Sequence, residues 1–69
     1  MIRTPLETRF THHSPTDEQI LQYADIRAQA LEFAKYIDAT CPFGQELALA
    51  LAALEECVMW AEAAIARNK

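Results

Sequence analysis

The sequence is short of the residues that carry chemistry in small proteins. Gly44 is the single glycine, so there is no glycine-rich loop to cradle phosphates and no G-x-S-x-G elbow to present a nucleophile. Cys41 and Cys57 form no C-x-x-C pair and have no histidine downstream at a zinc-ligand spacing. That argues against a disulfide framework or a structural zinc as the source of stability. Both read as reduced thiols, with Cys57, inside an apolar run, expected in the core. No stretch reaches the roughly 18 apolar residues of a membrane span. The segment carrying Arg3, Pro5, Glu7 and Arg9 lacks the apolar run of a signal peptide, so the chain is expected to be soluble and cytoplasmic. Positive charge is also scarce: from Asp38 through Glu62 there is no Lys or Arg, and the net charge is -4. Bulk attraction to a DNA or RNA polymer, or to an anionic membrane, is therefore not expected. A small anion remains possible where Arg3, Arg9 and Arg27 meet the Arg67 and Lys69 end.

What is present is helical patterning. Residues 1–13 lack periodicity and Pro5 disfavours an early helix, which predicts an extended or irregular arm. "SPTDEQ" then reads as a helix start, with Ser14 as N-cap, Pro15 at the first helical position, Asp17 as a capping-box-like acid and Glu18 favourable to the helix dipole. Ile20, Tyr23, Arg27, Ala30, Ala34 and Ile37 follow at steps of three and four, predicting helix over 14–40. "CPFG", 41–44, is a turn because Pro42 disfavours helix at Cys41. Leu47, Leu51, Leu54, Val58, Ala61 and Ile65 make a second seam over 45–68. Two helices of about 25 residues each, some 37 Å long at 1.5 Å per residue, must fold back on one another. The expected fold is all-α, an antiparallel two-helix hairpin in a single domain over 1–69.

A chain of 69 residues buries too little surface to be comfortable alone. One hairpin covers one stripe per helix, yet Leu49, Ala50, Ala53, Cys57, Met59, Trp60 and Ala64 lie off the second seam, and Ile26, Leu31 and Phe33 off the first. A helix apolar around most of its circumference is a buried helix. The many alanines allow close helix approach, and the expectation is an obligate homo-oligomer.

Candidate chemistry is thin. His12 and His13 are adjacent, so on an extended arm they point to opposite sides, poor geometry for one metal even with Glu7 or Asp17 nearby. Thr11, His12 and Ser14 are close in sequence, but nothing completes a triad. No catalytic residue, metal or cofactor is expected. Glu46, Glu55, Glu56 and Glu62 read as solvated helix surface, and Trp60 as a core or interface anchor. Arg27 stands out because it occupies a seam position, where a guanidinium needs a partner. Two readings stay open: a salt bridge to Asp25, Glu32 or an acid of another chain, or an anion pocket at a subunit interface.

The order "RFTHHSP", "IRAQALEFAKYI", "CP" and "LEECVMWAEAAIARN", spanning Arg9 to Asn68, resembles the phage anti-CBASS type 2 proteins. These are helical-hairpin sponges that sequester the cyclic oligonucleotide signals of bacterial immunity. The resemblance implies a compact homohexamer, a trimer of dimers, acting in the cytoplasm of an infected bacterial host. It would hold cyclic dinucleotides between paired subunits and cyclic trinucleotides where three subunits meet, without cleaving either. On matching positions, Arg9, Phe10, His12 and Arg27 would serve the dinucleotide, with the arm stacking on bases and Arg27 contacting phosphate. Arg67 and Asn68 would serve the trinucleotide. His12 stands where relatives tend to have tyrosine, leaving an imidazole to stack. Base stacking is worth about 1–3 kcal/mol per base. Two other functions compete with this one: an adaptor docking a host protein on its apolar faces, and a phosphodiesterase that degrades the signal.

Overall fold

A computed structural model describes Leu6, Phe10 and residues 14–68. It contains two long helices, α1 (Asp17–Thr40) and α2 (Gln45–Arg67), packed side by side into a hairpin. There is no strand among the described residues. The long axis measures 43 Å, a little more than the roughly 36 Å of a helix of this length.

The start of α1 differs from the sequence expectation. Its N-cap is Thr16, not Ser14, and helix begins at Asp17. Thr16 Oγ1 accepts the Gln19 backbone N–H at 3.2 Å, while Gln19 Oε1 accepts the Thr16 N–H at 2.9 Å. This is a reciprocal capping box, which satisfies two backbone donors at once. Gln19 wins the N3 role because its amide has a second outlet: Nε2 donates to the Ile65 carbonyl on α2 at 3.1 Å. The far end of α1 stops where Cys41 turns extended before Pro42, and the Cys41 N–H still reaches the Ile37 carbonyl at 2.8 Å. The N-cap of α2 is Gly44, with extended backbone and no side-chain cap.

Leu6 and Phe10 have helical backbone, so the expected extended or irregular arm fails at these two positions. Pro5 restricts the residue before it and is compatible with helix after it. The remainder of 1–13 lies outside the described residues.

The interface between the helices is narrow. From α2 it takes Leu47, Leu51, Leu54, Val58, Ala61 and Ile65, the seam expected from spacing. From α1 it takes Gln19, Tyr23, Ile26, Ala30, Ala34 and Ile37. Ile20 and Arg27, expected in this seam, are exposed beside it, and their places are held by Gln19 and Ile26. Both sets fit steps of three and four, but only one lets the Gln19 amide close on Ile65. Within the single chain Leu47 is the one buried apolar residue described, and Gln19 the one buried polar residue. Cys57, expected in the core, is exposed: at 100° per residue it lies about 80° around α2 from the centre of the seam, on a flank of the helix. Leu31, Phe33, Tyr36, Leu49, Met59 and Trp60 are all more than half exposed.

Candidate functional site

Arg27 projects from the rim of α1 toward α2, where Glu62 meets it. Arg27 Nε donates to Glu62 Oε2 at 3.1 Å and Nη2 donates to Oε1 at 2.7 Å. Two parallel bonds from one edge of a guanidinium to both carboxylate oxygens form the strongest geometry open to such a pair. The hydrogen bond to Glu62, and then its negative charge, push the Arg27 pKa above its ordinary value. Arg27 therefore stays cationic throughout the physiological range. The acids considered from sequence are engaged elsewhere: Asp25 accepts from Gln29 Nε2 at 3.1 Å, and Glu32 lies 3.5 Å from Lys35. The partner is an acid on the facing helix of the same chain. The Arg27 side chain is 65% exposed and that of Glu62 21%, so the cation is open to solvent while its anchor is half-buried. A pair this wet adds little to stability, and its interest lies in how it orients Arg27.

Beside Arg27 runs an open groove of about 520 Å³ between the helices. Ala30, Ala34, Leu51, Leu54 and Val58 form much of its lining, with Leu31 and Met59 among its exposed flanks. The two alanines keep α1 thin there, which leaves the groove open. The trough is mainly apolar, with Arg27 and Glu55 as its charged lining residues.

Arg67 and Asn68 lie at the C-terminal end of α2. Asn68 ends that helix, its backbone N–H and its Nδ2 both donating to the Ala64 carbonyl at 3.2 and 3.0 Å. Asn68 also lines a second, more polar cavity of about 550 Å³ at the open end of the hairpin, with Thr16, Glu18, Gln22 and Ile65. Glu62 and Arg67 are separated by about 140° around α2 and about 7.5 Å along it, so the Arg27–Glu62 pair and Arg67 face different directions. Phe10 is exposed, offering an aromatic face. Arg9 and His12 lie outside the described residues; of the grouping Arg9, Phe10, His12 and Arg27, Phe10 and Arg27 are described, and each is exposed. Among the described residues, no cluster of three or more His, Cys, Asp or Glu is placed to hold a metal ion.

Sequence reading missed two residues here. Glu62 passes for solvated surface, and the available signal is that it lies nearly as far beyond the turn as Arg27 lies before it, within about one helical turn. Gln19 was announced by the T-x-x-Q spacing of a capping box, obscured by Ser14 and Pro15 just upstream.

A thin internal seam, exposed apolar faces and an arginine held at one edge define a small all-helical hairpin. The family described as the Acb2/Tad1 hairpin domain matches residues 1–66. The chain belongs to that family. No curated protein and no solved structure matches it. No helix of the described residues is long and apolar enough to cross a membrane.

Proposed function

We propose that this hairpin captures cyclic di- and trinucleotides and holds them intact, lowering the free signal below what the CBASS immune effector of a bacterial host requires. The observation that carries this reading is the family match over residues 1–66. Arg27 would contact a dinucleotide phosphate, with Phe10 exposed for stacking and Arg9 and His12 contributed by the arm. Arg67 and Asn68 would line a separate trinucleotide site. The exposed Leu31, Phe33, Met59 and Trp60 support assembly into a homo-oligomer, proposed as a hexamer, because so many large apolar side chains left exposed on a chain this small are normally covered by a partner. A pocket preformed by assembly and a ring-shaped ligand both cut the ordering cost of binding.

The test is to incubate the protein with cyclic dinucleotide, remove free ligand, denature the protein and assay what is released. Intact nucleotide is the expected result. A linear product would identify a phosphodiesterase, and no retained nucleotide would point to an adaptor. Native mass spectrometry with a panel of cyclic di- and trinucleotides reports subunit number and stoichiometry together.

A further inference from the structure

We infer that Glu62 is a positioning residue for phosphate capture: it grips one edge of the Arg27 guanidinium and turns the other outward to receive a phosphodiester. The inference rests on the reading of Arg27 as a phosphate ligand. A guanidinium carries five N–H donors in one plane. Glu62 takes one from Nε and one from Nη2, and among the described residues Nη1 has no partner. The remaining Nη1 and Nη2 donors form a second parallel pair, matched to two oxygens of one phosphate. The exposure difference fits this division, since the carboxylate is the more enclosed partner and the Arg27 side chain is largely open to solvent.

Two effects of Glu62 on an anionic ligand have opposite sign. Its charge repels phosphate, whereas its grip removes in advance part of the rotamer freedom Arg27 would otherwise lose on binding. Glu62→Gln separates them, because it deletes the charge, keeps the size and weakens the grip. If positioning dominates, affinity falls; if charge dominates, it rises.

The experiment is calorimetric titration of the full chain and its Glu62→Gln, Arg27→Lys and double variants with a cyclic dinucleotide, with circular dichroism and sedimentation confirming fold and assembly. Glu62→Gln is expected to weaken binding about tenfold, a well-placed charge-assisted hydrogen bond's worth. Arg27→Lys keeps the charge but has no second edge, and is expected to bind at least as weakly. The double variant should bind no more weakly than Arg27→Lys alone. Unchanged or tighter binding by Glu62→Gln overturns the inference, as does a full additional loss in the double variant. Should Glu62→Gln fail to fold, near-normal binding by Arg27→Lys overturns it independently. If the unaltered chain retains no cyclic dinucleotide, the proposed function fails and the inference falls with it; if that chain binds and Glu62→Gln binds equally well, the inference alone fails.

Discussion

Gln19 and Ile65 are joined across the hairpin by a single hydrogen bond, the Gln19 Nε2 donating to the Ile65 carbonyl at 3.1 Å. The same amide closes the capping box with Thr16, so one side chain starts α1 and ties it to the end of α2. The tie sits at the open end, where the two helices have no covalent connection. It holds the end of α2 that carries Arg67 and Asn68 against the start of α1.

Gln19→Ala removes both roles. The lost cap and the lost interhelix bond together should cost about 2 kcal/mol, a fall in Tm of roughly 8–16 °C for a chain of this size. Thr16→Ala loses only the cap and should cost about half as much. Thermal melts by circular dichroism at one fixed protein concentration make the comparison, since assembly would otherwise shift Tm by mass action.

Gly44 offers the opposite change. It caps α2 without a side-chain bond, and a Cβ there would meet the Glu46 carboxylate at an ordinary 3.7 Å. Gly44→Ser supplies a capping hydroxyl and reduces the freedom of the unfolded chain. The expected gain is about 0.5–1 kcal/mol, seen as a higher Tm in the same melts.

The two helices differed in how readable they were, and for a physical reason. Along α2, Leu47, Leu51, Leu54, Val58, Ala61 and Ile65 are apolar at every step, so one stripe of the spacing pattern matched the facing surface. Along α1, Gln19 and Ile20, and again Ile26 and Arg27, are neighbours of different polarity, and spacing cannot choose between adjacent stripes. The choice was made by Gln19, a polar residue that became tolerable inside because Thr16 and Ile65 satisfy its amide. Intrahelical periodicity also says nothing about which side chains meet across a hairpin. Arg27 could be singled out as a cation needing a partner, but its pairing with Glu62 depends on helix rotation and side-chain reach.

The exposed faces predict a consequence for assembly. Leu31 and Met59 both flank the groove beside Arg27, and both are more than half exposed. Met59→Glu places a charge where the proposed neighbouring subunit would exclude water, at a desolvation cost. Sedimentation velocity should show the variant shifted to smaller species. Its helical ellipticity should fall as well, because the seam within one hairpin leaves only Leu47 and Gln19 buried among the described residues.

Arg27 and Arg67 point in different directions, and this predicts a crossover in ligand preference. Arg27→Ala removes a fork-shaped phosphate donor, so its cyclic dinucleotide affinity should drop about 10- to 100-fold, with trinucleotide retention nearly unchanged. Arg67→Ala should do the reverse. Both variants should keep the assembly state of the parent, since Arg27 contributes a solvent-exposed ion pair to the fold and Arg67 ends a helix. Parallel titrations of each variant with one cyclic dinucleotide and one cyclic trinucleotide decide the matter. A crossed pattern requires two sites, whereas equal loss of both ligands in each variant, with assembly intact, would mean that the arginines serve a single shared pocket.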